Sequence, residues 1–242
     1  MTQPWQQRTE LILGPEGIAR LAAARVLVVG LGGVGAMAAE MLARSGVGHI
    51  TLVDSDLVAE SNINRQLPAL HSTLGRPKAE VVGERLLDIN PALDLRLIRE
   101  FIHEDSIPDL LRPEYDYVVD AIDTLSPKIA LIQWCLASGL PLVSSMGSGA
   151  KTDGTRVRIA DISKTRMCPL AHMLRKRLHH FGITEGFLAV FSEEKPDEGA
   201  IVKEESRNKR SNVGTVAWLP AVFGCACAQA AVLSIAEKSE NR

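Results

Sequence analysis

Several classes of protein are excluded by what this sequence has little of. Only four cysteines occur in 242 residues, Cys135, Cys168, Cys225 and Cys227, and none forms a CxxC pair. A disulfide framework and a zinc knuckle are therefore both unsupported. Excess charge is also missing, since 27 Lys plus Arg against 29 Asp plus Glu leave a formal charge of -2. No chain-wide attraction to nucleic acid follows, and any such contact must use a local patch. No internal repeat is visible, and 46% hydrophobic with 23% charged residues excludes a disordered, collagenous or coiled-coil chain. Met1 is followed by polar residues and Trp5 rather than an apolar leader. Together with the sparse cysteine, this gives the expectation of a reducing, cytoplasmic setting.

Long uncharged runs are few. The one that tests this expectation is Val213 to Ala236, 24 residues without an ionised side chain, long enough on paper to cross a bilayer. Gly214, Pro220 and Gly224 interrupt it, and its middle is mostly Ala and Cys, whose small side chains partition weakly into lipid. The expectation is a helix started near Pro220 and packed in the protein core, with no membrane contact.

What the sequence does contain is alternation. Residues 1–20 read as an amphipathic arm or helix followed by a loop. Strands are predicted at Arg25 to Gly30, His49 to Asp54, Asp94 to Ile98, Tyr117 to Ala121 and Pro141 to Ser145. Helices fall between them at Ala36 to Ser45, Lys78 to Asn90, Asp105 to Leu111 and Pro127 to Ser138. Beyond Gly147 the pattern loosens into a strand at Val157 to Asp161, a helix at Pro169 to Phe181, a strand near Phe187 to Phe191 and a charged loop. That loop, Ser192 to Asn212, holds 11 charged residues in 21, too polar for a core and expected to be mobile. Apolar strands alternating with helices predict an α/β class, a Rossmann-like, doubly wound and mostly parallel sheet. The reading is one domain over 1–242, with a nucleotide-binding core at 1–149 and a C-terminal extension at 150–242 that completes the sheet and a dimer.

The strongest local signal is Gly30-Leu31-Gly32-Gly33-Val34-Gly35, where a strand enters a glycine turn and then a helix. Bare backbone at the positive end of a helix dipole lets phosphate approach. Asp54 ends the next strand, 19 residues after Gly35, where an acceptor meets ribose hydroxyls. The stretch Asp54 to Gln66, DSDLVAESNINRQ, and then Gly75-Arg76-Pro77-Lys78 place Asp56, Asn62, Arg65, Gln66 and Lys78 downstream of that site. Arg and Lys gathered there suit a triphosphate and a pyrophosphate leaving group better than hydride transfer to a nicotinamide. Any one of them alone could equally be a solvated or helix-capping residue. Asp123, just past a strand end, either positions Mg²⁺ or caps the helix that follows, next to Thr124, Ser126 and Pro127.

GLGGVG, the DSD acidic pair, SNINRQ, GRPKAE and DAID at Asp120 to Asp123 stand in an order and spacing that resembles the adenylating superfamily of ubiquitin-activating enzymes and their bacterial relatives, over about residues 7–149. The resemblance implies ATP and Mg²⁺ as cofactors. It assigns Asp54, with Asp56 beside it, to the ribose side, Asn62, Arg65, Gln66 and Lys78 to the phosphates, and Asp123 to the metal. Arg8, in QQRTELILG, matches an arginine that reaches the triphosphate of the opposite subunit, which implies a homodimer with composite sites. TELILG, SNINRQLPALHSTLGRPKAEVVGERLLDINP, VVDAIDTLSPKIALI, DISKTRMCPLAHMLRKRL and FSEEKP are similar, more narrowly, to the branch that cyclises threonylcarbamoyladenosine at position 37 of transfer RNA. That branch implies a tRNA substrate, carboxylate adenylation, and a link to a cysteine desulfurase or sulfur-acceptor system. The alternative within the superfamily is activation of the C-terminus of a ubiquitin-like sulfur-carrier protein.

Lys164, Arg166, Arg175, Lys176 and Arg177 fall between Ser163 and Gly182 with no acidic residue among them. Leu170, Leu174, Leu178 and Phe181 recur at helical spacing, so the basic residues line an outward face. Such a face is either merely solvated or a phosphate contact. With the resemblance, Arg166, Arg175, Lys176 and Arg177 become the expected RNA-binding residues. The four cysteines read as small core residues, although the basic neighbourhood of Cys168, beside Pro169, is one in which a thiol can become nucleophilic.

Overall fold

A computed structural model describes residues 3–111, 114–203 and 211–237 of the chain. Five parallel strands form first: β1 (Arg25–Val29), β2 (His49–Val53), β3 (Asp94–Ile98), β4 (Tyr117–Asp120) and β5 (Leu142–Ser145). They are joined by α2 (Gly35–Arg44), α3 (Lys78–Ile89), α4 (Ile107–Leu110) and α5 (Leu125–Ala137). After β5 come β6 (Val157–Asp161), α6 (Pro169–His179) and β7 (Leu188–Ser192), and then α7 (Trp218–Ala236) closes the described chain. The sheet order is β3-β2-β1-β4-β5-β7-β6, with β7 parallel to β5 and only β6 antiparallel. The C-terminal extension thus completes a doubly wound sheet, as the alternation predicts.

Strand parity sorts the two layers, because successive side chains leave a strand on opposite sides. Val26 and Val28 of β1 face the layer that includes Leu21, Leu42, Leu86 and Phe223, carried by α1 (Gln7–Ala23), α2, α3 and α7. Leu27 and Val29 face the layer of α4, α5 and α6, with Ile107, Leu131 and Leu174. Each such buried aliphatic side chain contributes about 1.5–3 kcal/mol. The first layer mixes residues from before and after position 150, so the two halves share a core.

Three expectations are revised. The N-terminal segment is helical through Ala23 rather than ending in a loop, with a break at Gly14, whose φ of 71° precedes Pro15. Pro15 cannot donate into the turn before it, and the glycine takes up the left-handed bend. The charged loop is partly ordered: β8 (Ile201–Lys203) pairs antiparallel with β9 (Ser211–Val213), and residues 204–210 lie outside the described chain. A two-stranded ribbon needs only backbone pairing, which the polar composition does not oppose. The long apolar run forms α7, which starts at Trp218, has a mean hydropathy of 1.8 and is 61% buried over its most apolar 18 residues. It is long and apolar enough to cross a membrane, and it packs on the sheet and α2. Cys135, Cys168 and Cys227 are buried as expected, but Cys225 is exposed.

Candidate active site

The strand order reverses between β1 and β4, and a crevice at the carboxyl ends of those strands is where doubly wound sheets bind ligands. The glycine turn sits there. Gly30 has a φ of 88°, and a Cβ on it would come 2.8 Å from the carbonyl oxygen of Ala121. A Cβ on Gly35 would land on the carbonyl oxygen of Gly30, and one on Gly33 would press on Pro220 and Arg65. Gly32 differs, since its only neighbour within 4 Å would be Gln66 Nε2 at 3.8 Å. Its open side is where a phosphate can approach backbone N–H groups of the first turn of α2, which have no partner inside the helix.

Asp54 follows β2 and ties this turn to the next segment. Its Oδ2 accepts the Leu31 N–H at 2.6 Å and its Oδ1 the Asp56 N–H at 2.7 Å. Burial pushes its carboxyl above the ordinary aspartate range, opposed by those N–H groups and by Lys78. Lys78, at the start of α3, is buried, and its Nζ donates to Asp56 Oδ2 at 2.7 Å, an oxygen on a side chain that is 67% exposed. The ammonium is thus held at the floor with its counterion on the solvent side.

Asn62, Arg65 and Gln66 come from a short helical turn and the residues after it. Asn62 Oδ1 accepts the Ala59 N–H at 3.1 Å, and the Asn62 carbonyl accepts the Gln66 N–H at 2.9 Å. Arg65 donates to Ser61 O at 2.9 Å and to Asn64 Oδ1 at 2.8 Å. Gln66 Oε1 is buried without a hydrogen-bond partner, and an orphaned acceptor beside the open face of Gly32 is what a ligand donor would satisfy. Asn64 Nδ2 donates to Thr215 O at 3.1 Å, anchoring this turn to the segment before α7.

Asp123 lies three residues past β4, exposed on the rim of the crevice. Beneath it is a group that the sequence motifs do not single out. Asp120 is fully buried and accepts from Lys128 Nζ and Ser144 Oγ, both at 2.7 Å, and from the Ile122 N–H at 3.1 Å. The signal that could have found it is a lysine inside an otherwise apolar helix, eight residues after an aspartate that ends a strand.

Two groups of sequence-predicted residues fall outside this cluster. Arg8 is exposed at the start of α1, close to Gln6, which packs where a Cβ on Gly46 would stand. Gly46 lies beyond the far end of α2, about 15 Å from the glycine turn, so Arg8 does not join the site of its own chain. Of the basic residues on α6 and before it, Arg166 pairs with Glu193 and Arg175 donates to Thr165 O and Oγ1. Lys164, Arg166, Lys176 and Arg177 are all exposed.

A glycine turn over a helix N-terminus, an aspartate just past the adjoining strand and a buried lysine beside it mark a nucleotide-binding enzyme of the doubly wound class. The model of the ThiF family matches residues 6–242, and the chain belongs to that family. It is 45% identical over 205 residues to the tRNA threonylcarbamoyladenosine dehydratase of Bacillus subtilis, covering 85% of this chain and 80% of that protein. The crystal structure of Escherichia coli tRNA N6-threonylcarbamoyladenosine dehydratase, TcdA, in complex with ATP superposes with a TM-score of 0.89 at 36% identity, covering 98% of this chain and 97% of the other. The molybdopterin-synthase adenylyltransferase of E. coli is 36% identical over 94 residues, 39% of this chain and 36% of that protein.

Proposed function

We propose that this protein is an ATP-dependent tRNA threonylcarbamoyladenosine dehydratase. The observation that carries the reading is the nucleotide crevice itself, with Gly32 open and Lys78 and Arg65 on its phosphate side, in a chain matched along nearly its whole length by dehydratases of that name. The sulfur-carrier alternative has a weaker basis, since the sulfur carrier protein adenylyltransferase of Thermus thermophilus is 37% identical over only 54% of this chain, against 85% for the Bacillus subtilis dehydratase.

The chemistry follows from the substrate. A carboxylate oxygen is a poor leaving group. Its attack on the α-phosphorus of ATP forms an oxygen–phosphorus bond, expels pyrophosphate and leaves the carboxyl group as a mixed anhydride with AMP. The neighbouring carbamoyl group then attacks that carbon, loses a proton, and AMP departs with the carboxylate oxygen. The nucleoside has lost one water, and no enzyme nucleophile is needed. Asp54, with Asp56 beside it, and Gly30 to Gly35 orient the nucleotide, and Asn62, Gln66, Arg65 and Lys78 hold its phosphates and stabilise charge on the leaving pyrophosphate.

Among the described residues no three His, Cys, Asp or Glu gather as a metal cage. A Mg²⁺ ion here would be held by phosphate oxygens with Asp123 as its protein carboxylate, which suits an ion that keeps waters and takes one or two carboxylates. When bound it would neutralise charge between the phosphates. The position of Arg8, too far from its own crevice, supports a homodimer in which each Arg8 serves the partner's triphosphate. Lys176 and Arg177 on α6 are the exposed cations for tRNA phosphates, with Arg166 and Arg175 giving that face its shape. The free thiols suit the reducing cytoplasm, and a cysteine desulfurase or sulfur-acceptor system is the proposed accessory partner.

Mass spectrometry of digested tRNA after incubation with ATP and the purified protein tests the reading. The expected signal is loss of one water from threonylcarbamoyladenosine. An unchanged nucleoside, together with pyrophosphate exchange stimulated only by a carrier protein, would overturn it.

A further inference from the structure

The rim continues past the nucleotide crevice. After β5, residues 147–151 cross above the ends of β5 and β7. The Ala150 N–H donates to Gly214 O at 2.8 Å, and the Asp197 N–H donates to Ala150 O at 2.8 Å. Gly214 is the chain neighbour of Thr215, whose carbonyl holds Asn64 of the phosphate turn. Two adjacent residues therefore bridge the phosphate turn and this loop. On the sheet side, β5 is the neighbour of β4, about 4.8 Å away, so the loop also adjoins the segment that carries Asp123.

Against this loop lies the segment before α6. Cys168 is buried, its Sγ 3.7 Å from where a Cβ on Gly147 would stand. Thr165 is buried, donates to Ile162 O at 2.7 Å and receives Arg175, and Arg166 is tied to Glu193. Lys151 is buried beneath, donating to Ser192 O at 3.1 Å, with Cys168 and Glu194 as its electrostatic neighbours. Only two non-glycine residues among those described have a left-handed backbone, Ala150 at φ 58° and Met167 at φ 56°, and they sit one on each of these two segments. Such conformations persist only where the surroundings impose them, and they cluster where a side chain must be presented. Thr165 and Cys168 on either side are buried and Arg166 is tied to Glu193, while Met167 itself stands 56% exposed.

We propose that Met167 is the contact for the purine base of the acceptor nucleoside, held on this shelf so that the carboxylate on the base's side chain reaches the nucleotide crevice. The inference rests on the dehydratase reading above and names the part of that substrate the shelf receives. A thioether is polarizable and packs well against an aromatic ring, and the shelf lies on the same rim as Asp123. The far end of α6, where Phe181 is also exposed, begins about 16 Å along the helix axis and is remote from the chemistry.

The test compares Met167→Gly and Met167→Leu with the wild type, using tRNA bearing threonylcarbamoyladenosine and reading KM for tRNA, KM for ATP and the thermal midpoint. Met167→Gly removes the thioether while suiting the left-handed backbone. It is expected to raise KM for tRNA about tenfold, leave KM for ATP within about twofold, and keep or raise the midpoint. Met167→Leu should restore most of the affinity for tRNA. An unchanged KM for tRNA in Met167→Gly would overturn the inference. So would a lowered midpoint with both KM values raised, which is the mark of a structural role. If the wild type forms no dehydrated nucleoside at all, it is the dehydratase reading that fails.

Discussion

Lys128 Nζ lies 2.7 Å from Oδ2 of Asp120, and neither side chain reaches solvent. Desolvating two opposite charges is compensated only while both are present and hydrogen-bonded, and here Ser144 and the Ile122 N–H supply the remaining bonds. The pair pins the turn from β4 to α5, and with it the Ala121 carbonyl against Gly30 and the rim position of Asp123. Lys128→Met should destabilise the protein by about 3–5 kcal/mol, read as a fall in the urea midpoint. Combining it with Asp120→Leu should cost less than the two single changes together. A double variant whose loss equals that sum would show the pair to be uncoupled.

The glycines of the turn separate into two kinds. Gly35→Ala puts a methyl group on the Gly30 carbonyl oxygen, whereas Gly32→Ala meets only the end of Gln66 at 3.8 Å. The first should lower the thermal midpoint sharply. The second should leave it within about 2 °C and still weaken ATP binding, because the added carbon stands where phosphate approaches. Calorimetry with and without ATP distinguishes them. Equal loss of stability in the two variants would argue against the open side of Gly32 as the phosphate path.

Glu40, buried on α2, links α2 to α3 through Arg85 at 2.6 Å and also pairs with Arg44 at 2.8 Å. Burial pushes its carboxyl up, but the two guanidinium groups outweigh burial and hold it below the ordinary value of 4.5. A carboxyl lowered in the folded state stabilises above its unfolded value, and that contribution is lost as pH falls through the folded one. Wild-type stability should therefore drop on acidification below about pH 4.5 more steeply than that of Glu40→Gln. Urea titrations at pH 7 and pH 3.5 measure the difference, and parallel losses would refute the assignment.

The cations around α6 should also divide. Lys176→Ala and Arg177→Ala, which remove exposed charges, should each weaken tRNA binding and reduce its dependence on the logarithm of salt concentration by about 0.9 for each phosphate no longer neutralised. Arg175→Ala, which frees Thr165 from its clamp, should chiefly lower the thermal midpoint. Filter binding across a salt series checks the first pair, and a salt slope unchanged in both would remove α6 from the RNA footprint.

Strand and helix positions are legible because the central strands, covered on both faces, read as continuous apolar runs, as in Arg25–Val29, with helical stretches between them. The run at Asp94 to Ile98 has the same limits in sequence and structure. The glycine turn is legible for the same reason, since GxGxxG between a strand and a helix has few other uses. What escapes is long-range. Lys128 stands out in the sequence only as a lysine in an apolar helix, and its pairing with Asp120 depends on α5 folding back over β4. Lys151 and Met167 belong to segments without periodicity, and their approach is set by the crossing of β5, β6 and β7. The N-terminal helix outruns its sequence signal because Gly14 and Pro15 usually end a helix, whereas tertiary contacts such as Arg20 to the Ala236 carbonyl at 2.9 Å carry it on.

The glycine turn leans on the C-terminal helix. Gly33 stands against Pro220, and Gly224 faces the Val34 carbonyl and Met37 with no room for a side chain. A ribosome that has just added residue 149 has made every residue of the βαβ motif, yet the helix that supports the motif is still about 70 residues from synthesis. On a growing chain the residues of the turn are therefore complete well before the helix that Gly33 and Val34 pack against exists.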